Sequence, residues 1–96
     1  MKKELNMARQ YQRSAEVVST NVDGEEVLLS IENGKYYGLN GVASRIWQLI
    51  EQPRSFDTIC RELQNEFDVT AEQCETETQA LLDEFEQQHV IVITNA

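Results

Sequence analysis

Few side chains in this 96-residue sequence have the types and spacing that chemistry requires. His89 is the lone histidine, Cys60 and Cys74 are the two cysteines, and none of the three has a nucleophile motif around it. One imidazole and two separated thiols without CxxC spacing supply no ligand set for a metal ion, so no metal and no cofactor are expected. The cysteines fall on the apolar faces of two predicted helices, as reduced core thiols do. His89 stands at a predicted helix end, where it can meet the last carbonyls. The acidic residues follow helix faces and read as a solvated surface. No catalytic residue can be assigned, and an enzyme is not expected.

The remaining candidate for chemistry is the backbone. In Glu25 to Asn40, EEVLLSIENGKYYGLN, two apolar-rich runs, Val27 to Ile31 and Tyr36 to Leu39, flank Asn33-Gly34. That dipeptide suits a two-residue type I′ turn. Pairing Glu32 with Lys35 puts Ile31 opposite Tyr36 and Leu29 opposite Gly38. Lys35, Tyr37 and Leu39 then turn their backbone groups toward the neighbouring strand, while Tyr36, Gly38 and Asn40 turn theirs outward. If nothing else in the fold pairs with it, such an edge is a template for an added peptide strand.

The elements that must position this edge follow in order. Residues 1–13 carry four basic residues against one acidic, a net +3, and read as a flexible basic arm. Residues 14–96 carry four against sixteen, a net −12, and read as one domain. Glu16 to Val22 is rich in β-branched residues and ends at Asp23-Gly24, a second type I′ signal. Two such hairpins make a three-stranded meander, with Val18, Thr20, Val22, Val27, Leu29, Ile31 and Tyr36 on the face expected to cover the core.

Helical periodicity then runs from Asn40 to about Glu51, from Ser55 to about Phe67 and from Thr70 to about Gln88, each opening on a residue suited to cap it. His89 to Thr94 reads as a short strand or an extended tail. The expected fold class is α+β, winged helix-turn-helix-like, with a three-stranded antiparallel sheet followed by three helices. The third helix is expected to form the far wall of a groove beside the edge, with Leu82 at the margin of its apolar stripe and Glu75, Gln79 and Glu86 on one flank.

Charge bears on the partner. A winged helix suggests DNA, but Thr70 to His89 holds six carboxylates and no lysine or arginine, which phosphates would repel. No nucleic acid is expected on the folded domain, and weak binding through the arm is the alternative. No run is long or apolar enough for a membrane span, and the N-terminal residues lack a signal-peptide pattern, so a cytoplasmic location is expected. Peptide binding, a structural subunit role, and an edge covered by the arm or the tail all stay open. In the last case Tyr36, Tyr37 and Leu82 only fill the core. An unpaired edge could also be satisfied by a second copy of the chain.

The pattern DGEEVLLSIENGKYYGLN, followed by GVASRIWQLIEQPRSFDTICRELQNEF and ALLDEFEQQHVI, resembles the PqqD-like family over about Glu16 to Ile91. Gly34, Tyr36, Leu39-Asn40, Ile46-Trp47 and Leu63 carry the likeness through their order and spacing. The resemblance implies a non-catalytic domain that binds the leader segment of a ribosomally made precursor peptide. The leader would add antiparallel to the third strand, against the third helix, and be presented to a modifying enzyme. Taken with the register and the helix spacing above, the expected peptide-binding site is Lys35, Tyr36, Tyr37, Gly38, Leu39, Asn40, Glu75, Gln79, Leu82 and Glu86. The short basic arm and the two hairpin turns are similar to leader-binding proteins of lasso peptide pathways, whose partner is a leader peptidase. A member serving a radical enzyme, as in quinone cofactor biosynthesis, is the alternative.

Overall fold

A computed structural model describes residues 9–95. Strands β1 (Arg9–Arg13), β2 (Val17–Val22), β3 (Glu25–Ser30) and β4 (Tyr36–Gly38) precede helix α1 (Gly41–Leu49). The short strand β5 (Arg54–Ser55), helices α2 (Phe56–Glu66) and α3 (Ala71–Gln87), and strand β6 (Ile91–Asn95) follow. The strands form two antiparallel sheets, ordered β2-β3-β4 and β5-β1-β6. The architecture is α+β, with the expected three strands and three helices and a second sheet that was not expected.

The helix starts agree with the sequence. The side chains of Asn40, Ser55 and Thr70 each accept a hydrogen bond from the backbone N–H three residues on, at 3.1 Å. Each satisfies a donor that the first helical turn leaves without a partner. At the far end of α3, His89 adopts φ 61° and its N–H reaches the Glu86 carbonyl at 3.1 Å, turning the chain into β6.

The two hairpins differ. Asp23 and Gly24 both have positive φ, 54° and 89°, and β2 pairs with β3 in the expected register, Val18 with Leu29 and Thr20 with Val27. At the second turn only Gly34 has positive φ, 71°, and the loop is Ile31 to Gly34. Its closure is a Gly34 N–H to Ser30 C=O bond at 2.7 Å, and Leu29 faces Tyr36 instead of Gly38. Two bonds account for the longer loop, one across the sheet and one within the turn. Ile31 N–H pairs with Glu16 C=O at 2.8 Å, and the Asn33 side chain accepts the Lys35 N–H at 2.9 Å in an Asx-type turn.

The sheet also turns its other face inward. Glu26, Leu28 and Ser30 are buried, whereas Val18, Val22, Ile31 and Tyr36 are 54%, 52%, 58% and 73% exposed. The polar residues are accommodated by α1. Ser44 Oγ accepts the Glu26 N–H at 2.9 Å and donates to Leu39 C=O at 3.0 Å. Gln48 Nε2 and Asn21 Nδ2 donate to the Glu26 carboxylate at 3.1 and 2.9 Å. Satisfied in this way, the carboxylate can be buried.

The core gathers around Trp47, fully buried and packed edge-on against Phe85 at 5.8 Å, with Leu28, Ile46, Ile50, Ile59, Leu63, Leu82 and Val90. The arm expected over residues 1–13 does not extend that far: Arg9–Arg13 is the central strand of the second sheet. Tyr11 is buried, Arg13 N–H donates to Ile50 C=O at 3.0 Å, and the Arg13 guanidinium lies 5.0 Å from the Trp47 ring centre. One apolar side chain in RQYQR is too little for alternation to register as a strand, and β6 supplies the pairing that makes it one. Residues 1–8, the rest of that arm, lie outside the described residues. The closing segment is a strand, not a tail.

Candidate functional site

β4 is an edge strand, and among the described residues no strand pairs with its outer side. Its inner side is fully engaged: Ser30 N–H donates to Lys35 C=O at 3.0 Å, Leu28 pairs with Tyr37, and Leu39 N–H donates to Glu26 C=O at 2.9 Å. The backbone groups of Tyr36 and Gly38 therefore face away from the sheet. The two-residue shift at the hairpin leaves this parity intact, because moving a register by two restores the same side. Asn40 contributes less than expected. Its carbonyl accepts the Ser44 N–H at 2.7 Å and its side chain caps α1, so its oxygens are committed to the helix.

Beside this edge lies a cavity of about 320 Å³ between β4 and α3. Tyr36, Tyr37 and Gly38 line it on the strand side, and Leu81, Glu84 and Gln88 on the helix side. The buried side chains of Leu28, Leu39, Phe85 and Val90 complete it. Tyr37 ties the two walls together, its hydroxyl donating to Gln88 Oε1 at 2.8 Å. The cavity is thus apolar at its base and polar where α3 meets solvent, the usual composition of a ligand-binding pocket.

Of the residues expected on the strand side, Tyr36, Tyr37, Gly38 and Leu39 line the cavity, while Lys35 and Asn40 flank it. On α3 the wall is a different set. Leu82 is buried in the core, Gln79 donates to Asp83 at 2.9 Å, and Glu86 is exposed. Glu75 lines a second cavity of about 300 Å³, with Asp57, Cys60, Arg61, Gln64 and Asn65 of α2. The structure puts Leu81, Glu84, Phe85 and Gln88 on the groove side instead. Leu81, Glu84 and Gln88 lie two residues along from Gln79, Leu82 and Glu86, about 200° round the helix. Their spacing of three, four and seven residues was visible, but nothing local says which flank of an apolar stripe meets the strand.

The thiols are placed to be inert. Cys60 and Cys74 are both free and buried, and Cys74 Sγ lies 3.6 Å from the Cys60 carbonyl oxygen. Burial, followed by the neighbouring Cys74, pushes the Cys60 thiol up to about 12, so it carries no thiolate near neutrality. Among the described residues no group of three or more His, Cys, Asp or Glu could hold a metal ion, and no helix is long and apolar enough to cross a membrane. His89 is exposed and serves the helix end.

Comparison with known proteins places this geometry in context. The family model described as "Coenzyme PQQ synthesis protein D (PqqD)" matches residues 25–91, from the start of β3 into β6. Among solved structures, TbiB1 in complex with the TbiA(beta) leader peptide is 31% identical over 83% of this chain and 93% of its own, with a TM-score of 0.79. A lasso peptide synthetase B1 complexed with the leader peptide covers 85% of this chain and 96% of its own, with a TM-score of 0.76; at 23% identity that likeness is one of fold. Among curated proteins, no sequence matched.

Proposed function

The chain belongs to the PqqD family, and we propose that it recognises the leader segment of a ribosomally made precursor peptide without catalysing a reaction itself. The observation that carries this reading is the coincidence of a strand edge that no described strand pairs with and an apolar-based cavity on the same side of the fold. An extended leader added antiparallel to β4 exchanges main-chain hydrogen bonds with Tyr36 and Gly38, which gives affinity with little dependence on sequence. Alternate side chains of that strand point toward α3, where the cavity admits an apolar one between Leu81, Phe85 and Val90. Selection among leaders resides there.

The likeness to TbiB1, solved with a leader peptide, supports the leader as guest; the resemblance of the arm and the two hairpin turns to leader-binding proteins of lasso peptide pathways is the ground for proposing a leader peptidase as the enzyme that receives it. The catalytic parts belong to that partner. This chain holds the leader in an extended form that a second protein can meet, and the carboxylates of α3 turn away a nucleic-acid partner.

Titrating the isotope-labelled domain with its pathway's synthetic leader tests the reading. Amide resonances of Tyr36 to Asn40 and of Leu81, Glu84, Phe85 and Gln88 are expected to shift together. Shifts confined to the α2 side of α3, at Gln64, Asn65 and Glu75, would place the peptide elsewhere and defeat the assignment.

A further inference from the structure

The outer face of the β2-β3-β4 sheet meets the groove at Tyr36 and otherwise lies away from it, yet it is richer in apolar side chains than the face that covers the core. Register sets Val18, Thr20 and Val22 of β2 beside Val27 and Leu29 of β3 and Tyr36 of β4. Ile31 continues this face just beyond β3. Four of these stand more than half open to solvent, Tyr36 the most at 73%. The inner face meanwhile spends positions on Glu26 and Ser30. A one-sided sheet ordinarily does the reverse, and a contiguous exposed apolar patch marks a surface that something covers.

The rim of the patch indicates what covers it. Glu25 faces Val22 across the first hairpin, Glu16 C=O pairs with Ile31 N–H, and Asp23 and Glu32 sit in the two turns; all four are exposed. Lys35 is the one basic residue from Val17 to Asn40. Stacking two copies of this face would bring carboxylates against carboxylates, which disfavours a dimer through it. A partner with an apolar centre and a lysine- and arginine-bearing rim fits both features.

We propose that this face docks the enzyme that acts on the bound leader, through an apolar centre rimmed by basic residues. The proposal rests on the leader-recognition reading and deepens it by assigning the enzyme a surface that adjoins the groove at Tyr36 and extends away from it across β2 and β3. A leader strand on the edge of β4 extends this same sheet. Its outward side chains therefore stand next to Tyr36, and an enzyme seated here touches the domain and the peptide together.

The experiment uses the full chain, the pathway's purified leader-processing enzyme and a synthetic leader peptide. The double variant Val18→Ser/Ile31→Ser removes exposed apolar groups, and Val22→Lys opposes the partner's basic rim; thermal melts establish that each is folded. Both are expected to weaken enzyme binding at least tenfold while leader affinity stays within twofold of the parent. Unchanged enzyme binding by folded variants, or no enzyme binding by the parent, overturns the proposal and leaves leader recognition standing. A parent that binds no leader removes both. A parent that sediments as a dimer, with the double variant a monomer, assigns the face to a second copy and also overturns it.

Discussion

Helix α3 has a cavity on each flank, and the two differ in what they offer a guest. On the β4 side the walls are a strand edge and aromatic rings, over Leu28, Leu39, Phe85 and Val90. On the α2 side they are Asp57, Arg61, Gln64, Asn65 and Glu75 with Cys60 among them, between two helices whose backbones are already hydrogen-bonded internally. The volumes are close, about 320 and 300 Å³, so size does not separate them. Backbone availability does. A peptide entering the α2 side finds only side chains with solvated alternatives, whereas on the β4 side it finds main-chain groups that point outward whatever the sequence of the guest.

That contrast can be broken most directly at Gly38. A Cβ added there meets nothing within 4 Å, so Gly38→Ala is expected to bind the leader as the parent does. Gly38→Pro removes the outward N–H and is expected to abolish binding in a calorimetric titration, with folding checked by circular dichroism. Next in size is the protection of the thiols beneath the α2 side. At about pH 8, Cys60 and Cys74 are expected to react with a disulfide reagent orders of magnitude more slowly than a free thiol, and denaturant should remove that protection.

A smaller effect compares the flanks themselves. Leu81→Gln should weaken leader binding about tenfold, ~1.4 kcal/mol, while Glu75→Gln and Gln79→Lys change it by less than about twofold. The weakest prediction concerns the clamp between α1 and α2. Arg45 Nε lies 2.7 Å from the Glu66 carboxylate, and that hydrogen bond holds the Glu66 carboxyl below its ordinary value. The stabilisation is full above the ordinary glutamate range and is lost as pH falls through the lowered value. Arg45→Ala should therefore cost about 0.5 kcal/mol or less near neutrality, since both groups are partly solvated, and nothing in strong acid. Paired urea melts across pH measure it.

Legibility in the sequence followed the range of the interactions. The caps at Asn40, Ser55 and Thr70 and the turn at Asp23-Gly24 depend on residues within four positions, and they formed as read. The outward parity of Tyr36 and Gly38 survived an error in loop length because parity is insensitive to a shift of two. Three features depended on distant partners and were not readable. β1 exists because β6 pairs with it 80 residues later, as in Gln12 with Val92. Glu26 and Ser30 point inward because Ser44 and Gln48 of α1 anchor the start of β3 and its carboxylate. The flank of α3 that faces β4 was set by where β4 lands, which put Leu81 and Gln88 in the lining of the β4-side cavity and Glu75 in that of the α2-side one.

The second sheet has a consequence for how such a domain can be carried. Arg9 is the register partner of Asn95, so the described chain enters and leaves the fold at neighbouring points on one sheet. A unit with adjoining ends can be spliced into a surface loop of a larger protein, or have its ends joined and be reopened at the Asp23-Gly24 turn, without pulling the groove apart. Leader recognition in this architecture is portable.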